Sequence, residues 1–143
     1  MEITFYHQQL LRMRDEVYPR EYLIEKVMEA KKFMDTNYAS DICLADIACK
    51  ASISKFHFLR LFKQVYGITP NQYLVTVRIE KAKALLQSGV TVTEACFSVG
   101  FDSITSFTGL FKKVTGYTPS AVLRRLVPPV VITPIIRHGF YTD

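Results

Sequence analysis

The chain has 143 residues, of which 49% are hydrophobic and 22% charged, and it carries a formal net charge of +5. This composition is that of a globular protein long enough to bury a core, and no apolar run approaches the ~20 residues that a membrane-spanning helix needs. Three cysteines without a C-x-x-C pair argue against a disulfide framework and against a thiolate metal site.

Residues 1–19 are expected to form an N-terminal extension or linker, with a short helix around His7–Met13 as an alternative. They contain no basic stretch followed by an apolar one, so no secretory signal is predicted and a cytoplasmic location is expected. Residues 20–37 place apolar side chains at helical spacing, which predicts an amphipathic helix, the first of a domain that extends to residue 125.

The positive charge lies in the middle of the chain. Residues 38–125 carry 11 Lys/Arg against 5 Asp/Glu, a net charge of +6, whereas residues 1–37 carry a net charge of −1 and residues 126–143 a net charge of zero. A basic segment between nearly neutral ends is typical of a nucleic-acid-binding domain, although a solvated surface rich in lysine would have the same composition.

The basic middle contains an internal repeat. Ser54–Lys63 aligns with Ser103–Lys112 at an offset of 49 residues, and the two stretches share a serine, two phenylalanines, a leucine and a lysine. Each copy begins with a short apolar pattern at helical spacing, turns at a small residue, and continues into a longer helix that ends at Gly67 or Gly116. A short helix, a tight turn and a longer helix make a helix-turn-helix unit, so the sequence predicts two of them.

The longer helices, at about residues 55–66 and 104–115, are the predicted recognition helices. Helical spacing assigns one stripe of each helix to the core and places Phe56 and Arg60 on the outward stripe, with a core-facing Phe56 as the alternative. An outward arginine can donate to guanine O6 and N7, and hydroxyl or apolar side chains can meet base edges and thymine methyl groups.

One helix between Pro70 and Gly89 is predicted to connect the two units, which we place at residues 20–70 and 71–125. About 16 helical residues would span ~24 Å, and this length together with the width of the units could place the two reading helices in major grooves one turn, ~34 Å, apart. If this spacing is slightly short, bound DNA must bend.

Residues 126–143 form a C-terminal tail whose first part, Leu126–Ile136, is apolar and contains three prolines. The prolines exclude a continuing helix and pairing in a central strand. Such a segment docks on the domain, meets a partner or promotes aggregation, and docking on the domain is our expectation.

Several short motifs follow one another in a fixed order along the middle of the chain. They are Leu44-Ala45-Asp46-Ile47-Ala48, Ser54–Lys63, Gly67-Ile68-Thr69-Pro70 with Tyr73-Leu74, Arg78-Ile79 with Ala82 and Leu85-Leu86, Val99-Gly100-Phe101-Asp102-Ser103, and Phe107 with Phe111-Lys112-Lys113 and Gly116-Tyr117-Thr118-Pro119. As a set they resemble the DNA-binding domain of AraC/XylS-type bacterial transcriptional regulators. The resemblance implies an all-α domain of about seven helices, in which two helix-turn-helix units are joined by a long linker helix and helices 3 and 6 read successive major grooves.

By position, the resemblance assigns base contacts to Phe56, Leu59, Arg60, Thr105, Ser106 and Thr108. The residues expected to contact the DNA backbone are Ser54, Lys55, His57, Lys63, Ser103, Lys112 and Lys113. For Lys63 and Lys112 a purely solvated role is the alternative. Two positions depart from the family pattern: Gly109 stands where arginine is frequent, and Leu59 is apolar where a polar reader is common. We therefore expect the first unit to contribute more base discrimination than the second.

The expected function is sequence-specific binding of double-stranded promoter DNA by a transcription regulator at the nucleoid, with RNA polymerase as a further partner. The alternative is a helical protein-interaction module, or a fragment of a longer regulator, with weak and non-specific DNA binding. No grouping of nucleophile and base, phosphate-binding glycine loop or carboxylate pair points to an enzyme. No metal, cofactor or membrane is expected, nor a small-molecule effector within this chain.

Overall fold

The structure, a computed structural model, describes residues 20–124, which form seven helices. They are α1 (Arg20–Asn37), α2 (Leu44–Lys50), α3 (Lys55–Tyr66), α4 (Pro70–Gln87), α5 (Val92–Ser98), α6 (Ile104–Thr115) and α7 (Pro119–Leu123). The predicted all-α class and the number of helices are confirmed. The expected extension at residues 1–19, the alternative helix at His7–Met13 and the tail at residues 126–143 lie outside the described residues.

Local hydrogen bonds set the ends of the two recognition helices. Ser54 Oγ accepts from the His57 backbone N–H, and Ser103 Oγ accepts from the Ser106 backbone N–H, each at 3.3 Å. At the other end, Gly67 and Gly116 adopt φ angles of +77° and +83°, which glycine reaches without strain. Both 12-residue helices therefore begin and end at equivalent positions of the repeat.

Helix α2 begins at an unusual cap. Cys43 is its N-cap residue, and the Asp46 carboxylate accepts from the Cys43 backbone N–H at 3.0 Å and from its Sγ at 3.1 Å. The backbone hydrogen bond, followed by the one from the thiol, lowers the pKa of Asp46. The Asp46 carboxylate, at the third position of the helix, thus supplies the half of a capping box that satisfies the N-cap backbone N–H, and its negative charge lies at the positive end of the helix.

Helix α4 belongs to two hydrophobic cores. The first core joins α1, α2 and α3 to the first half of α4, up to Val77, and centres on Phe58 and Phe62. The second core begins with Ile79 on α4 and includes side chains of α5, α6 and α7. The 18 residues of α4 span about 27 Å, slightly more than the sequence predicts.

Arg78 lies on α4 between Val77, the last residue of the first core, and Ile79, the first residue of the second. Its guanidinium donates to the backbone oxygens of Tyr38 at 2.6 Å and Ser40 at 2.9 Å, and it lies 5.8 Å from the centre of the Phe101 ring. Burial lowers the pKa of Arg78, and the carboxylates of Asp41 and Asp102 oppose this shift. One side chain therefore connects the α1–α2 loop of the first unit to the turn of the second.

The two units also approach each other closely at Gly100. Its φ is +98°, and a Cβ added there would lie 2.9 Å from the Ala39 backbone oxygen and 3.0 Å from that of Tyr38. Only glycine allows the turn of the second unit to pass this close to the backbone of the first.

No helix within residues 20–124 is long and apolar enough to cross a membrane.

We predict that Gly100→Ala lowers the free energy of unfolding more than Gly89→Ala does. Gly89 is the matched control because its φ is +96° and a Cβ there would meet no atom within 4 Å. Both substitutions place an alanine in a left-handed backbone conformation, which costs roughly 1–2 kcal/mol, but only Gly100→Ala also brings the new methyl group against backbone atoms. Urea unfolding of the two variants measures the difference, and equal losses would show that the close approach is not a constraint.

Candidate nucleic-acid interface

Helices α3 and α6 are anchored by the same pair of aromatic residues in each unit. Phe58 and Phe62 of α3, and Phe107 and Phe111 of α6, are completely buried, and the two rings of each pair lie 5.7 and 5.6 Å apart. Each pair occupies successive turns of one helix face, so the opposite face of each helix points away from its core.

The outward face of α3 combines apolar and cationic side chains. Phe56 is 65% exposed and Leu59 is 37% exposed, while Arg60 and Lys63 are exposed as well. The outward placement of Phe56 is confirmed, and its alternative position in the core is wrong. These side chains form a surface that combines an arginine and a lysine with two large apolar groups.

The outward face of α6 is smaller and carries hydroxyl groups. Thr105 and Ser106 are exposed, and Thr108 is half-buried. Gly109, which aligns with Arg60 in the repeat, lies in the middle of the helix, and a Cβ there would meet no atom within 4 Å. The two recognition helices therefore have the same length, ends and buried phenylalanines, but the side chains that they expose differ.

His57 does not lie where the sequence predicts. Its side chain is 1% exposed and packs into the first unit, so the expected surface position is wrong, and this side chain is not placed to meet a phosphate. Only its backbone N–H, which donates to Ser54 Oγ, lies at the exposed end of the helix. The equivalent residue of the second unit, Ser106, is exposed.

The other residues expected to meet the DNA backbone lie at or near the surface. Lys55, Lys63, Lys112 and Lys113 are exposed, and Ser54 and Ser103 are half-buried. Two ion pairs of the described residues lie on α1, between Lys26 and Glu29 and between Lys31 and Asp35, away from the lysines of α3 and α6. The serine oxygens accept from helix amides, which leaves each hydroxyl proton available to a phosphate. Contacts of these residues with DNA stay a prediction.

The structure adds Ile104 to the candidate set. It is the first residue of α6, is 40% exposed, and aligns with Lys55 in the repeat. An apolar side chain at the exposed N-terminus of a recognition helix can contact a thymine methyl group. The alignment of the two copies contained this signal, but isoleucine at the start of an amphipathic pattern is more often a core residue.

Among the described residues, no cluster of histidine, cysteine and acidic side chains could hold a metal ion. Cys96 is completely buried, and burial raises the pKa of its thiol. Cys43 and Cys49 are exposed.

The comparisons with known proteins point to one family. A family model described as a helix-turn-helix domain matches residues 47–125, more than half of the chain. YbfI of Bacillus subtilis, an uncharacterized HTH-type transcriptional regulator, is 40% identical over 77 residues, which make up 54% of this chain and 28% of that protein. The transposon Tn10 TetD protein of Escherichia coli is 33% identical over 102 residues, 71% of this chain and 74% of that protein. The chain thus spans less than a third of YbfI but about three quarters of TetD.

Two solved structures share the fold of the described helices. A probable AraC family transcriptional regulator from Rhodopseudomonas palustris superposes with a TM-score of 0.66 at 26% identity, covering 73% of this chain and 99% of that one. The DNA-binding domain of AdpA, a global transcriptional factor solved in complex with a target DNA, gives a TM-score of 0.66 at 26% identity, covering 69% of this chain and 90% of that one.

We predict that Gly109→Ala raises the free energy of unfolding by about 1 kcal/mol, the difference between glycine and alanine inside a helix. The open space around position 109 admits the methyl group without displacing a neighbour. Gly116→Ala is the contrasting variant, since φ there is +83°, and it should be destabilising. Denaturant unfolding of both variants checks the signs. A loss of stability in Gly109→Ala would mean that the helix does not continue regularly through this residue.

Proposed function

The chain belongs to the AraC/XylS family of helix-turn-helix DNA-binding domains, and we propose that it is a sequence-specific transcription regulator. In this proposal α3 and α6 enter successive major grooves of promoter DNA. The observation that carries it is that α3 and α6 have equivalent ends and equivalent buried faces. Each also has an exposed polar or cationic face, and the single linker helix α4 packs into the core of both units. The protein would act at the nucleoid, with RNA polymerase as a further partner and without enzymatic activity.

The base contacts divide between the units by chemistry. Arg60 would donate to O6 and N7 of one guanine, a contact worth ~1–3 kcal/mol in discrimination against other bases. Phe56 and Leu59, on the same exposed face of α3, would pack on thymine methyl groups. Thr105, Ser106 and Thr108 would form weaker hydroxyl contacts in the second groove.

The backbone contacts would supply much of the affinity and little of the sequence preference. The exposed lysines Lys55, Lys63, Lys112 and Lys113 can neutralise phosphates and release bound counterions, which makes the affinity fall steeply with salt. The hydroxyls and backbone amides at the N-termini of α3 and α6, next to Ser54 and Ser103, provide directed contacts that would fix the register on the duplex.

A protein-interaction module with weak, non-specific DNA binding is the second candidate. It is favoured by apolar side chains exposed outside the recognition helices, such as Phe97 on α5 and Met28 on α1. A gel-shift experiment against random duplexes at two salt concentrations separates the two. Enrichment of one sequence supports the regulator, whereas binding without any sequence preference supports the interaction module.

Arg60→Ala is expected to reduce discrimination at its target base pair by ~1–3 kcal/mol, about 5- to 150-fold, because a bidentate contact is lost. Thr105→Ala removes a single hydroxyl contact and should reduce discrimination less. Affinities of both variants for the selected site and for single-base-pair variants of it provide the comparison.

Lys63→Ala serves as the control for loss of charge near Arg60. It should weaken binding to all sequences about equally and make the dependence on salt shallower. If Arg60→Ala and Thr105→Ala lose the same discrimination, the first unit does not dominate the readout.

We also predict that the bound DNA is bent. Helix α4 and the two units that it joins hold α3 and α6 at one fixed spacing, and if this spacing is slightly shorter than the ~34 Å between successive major grooves, the duplex must bend to admit both helices. A bend of this kind costs a few kcal/mol. Position-dependent mobility in a circular-permutation gel would reveal it, and mobility that does not depend on position would contradict it.

A further inference from the structure

An apolar groove of about 230 Å³ opens on the first unit beside the recognition helix. Leu44 and Ile47 of α2, Leu59 of α3 and Leu74 of α4 line it, and Thr69 and Asn71 are its polar members. An apolar cavity of ~150 Å³ can hold a benzene-sized molecule, so this groove has room for one or two branched aliphatic side chains. No charged residue lines it.

The chain itself contains a segment with matching chemistry. Leu126–Ile136 is made of valine, isoleucine, leucine and proline with one threonine, and it carries no charge. Its prolines favour an extended backbone, which presents side chains in succession and leaves backbone groups for polar partners such as the Asn71 amide. Burial of so apolar a segment lowers the free energy. Because proline fixes the backbone φ angle, the segment also loses less conformational entropy when it docks.

The segment is long enough to reach the groove. It starts two residues after Arg124, the last described residue, and its 11 residues extend over up to ~36 Å. Helix α7 contributes Val122 to the second core, which includes the second half of α4, whereas the groove lies at Pro70–Leu74 in the first turns of the same helix. Measured along the axis of α4, the two places are therefore separated by less than the length of that helix, about 27 Å.

We propose that Leu126–Ile136 docks in this groove of its own chain and covers Leu59. Leu59 is also one of the side chains proposed to meet bases, so the docked segment and DNA are alternative occupants of this edge of α3. This consequence, unlike the docking itself, rests on the proposed function. The C-terminal segment would thus act as an intramolecular competitor that a bound promoter displaces.

Docking is tested on the full chain by paramagnetic relaxation. Cys43 is exposed and lies between Ile42 and Leu44, two residues that line the groove, and Cys96 is buried. In a Cys49→Ser background, a nitroxide on Cys43 should broaden the methyl signals of Ile132, Ile135 and Ile136. Val131→Asp should restore these signals by placing a charge in the docked segment, whereas Thr142→Asp, which adds the same charge beyond the segment, should leave them broadened.

A nitroxide in the second unit gives the matched reference. It is attached at Thr93→Cys, an exposed position of α5, with Cys43 and Cys49 changed to serine. Sharp isoleucine signals with the Cys43 label, or equal broadening by both labels, would overturn the proposal. Broadening in a mixture of labelled unenriched chains and unlabelled isotope-enriched chains would assign the groove to the tail of a second copy, which also overturns it.

Competition is tested by adding the selected duplex to the Cys43-labelled chain. The isoleucine signals should recover as the duplex saturates the protein. Signals that stay broadened at saturation would overturn the competition while the docking stands. If no duplex binds with sequence preference, the proposed function fails, and the measurements without DNA still decide whether the segment docks.

Discussion

Helix α4 packs its first half into one hydrophobic core and its second half into the other, so neither unit can turn about it without exposing buried side chains. Arg78, at the boundary, adds directed hydrogen bonds to the backbone of the α1–α2 loop, and the close approach at Gly100 leaves no room for sliding. Two recognition helices that would otherwise be independent are thereby held at one spacing and one relative angle. The proposed entry of both helices into successive major grooves depends on this arrangement.

The two copies of the repeat have the same helix ends and buried side chains, but their exposed side chains differ. The buried phenylalanines, the serine N-caps and the glycine C-caps are the same, because they determine whether a helix of 12 residues can form and pack. The outward positions differ freely, since nothing in the core depends on them. Arg60 and Gly109 show the largest difference. They occupy aligned positions on equivalent helices, but Arg60 has a long hydrogen-bond-donating side chain and Gly109 has none.

The sequence was sufficient for features that depend on nearby residues. Helix ends at Ser54 and Gly67 follow from local hydrogen bonds and backbone preference, and periodicity separated Phe56 from the core correctly. The burial of His57 depends instead on how α1, α2 and α4 pack around α3. The contact of Arg78 with Tyr38 joins residues 40 positions apart, and a motif match indicates that this arginine is important without showing what it holds.

We propose that two unequal recognition helices, held in place by α4, read one face of promoter DNA. Guanine-methylation interference on the site selected from random duplexes shows where each helix meets the bases. We expect two groups of interfering bases in major grooves one helical turn, ~10 base pairs, apart, with stronger interference in the group that faces α3. A single group, or two groups on opposite faces of the duplex, would contradict it.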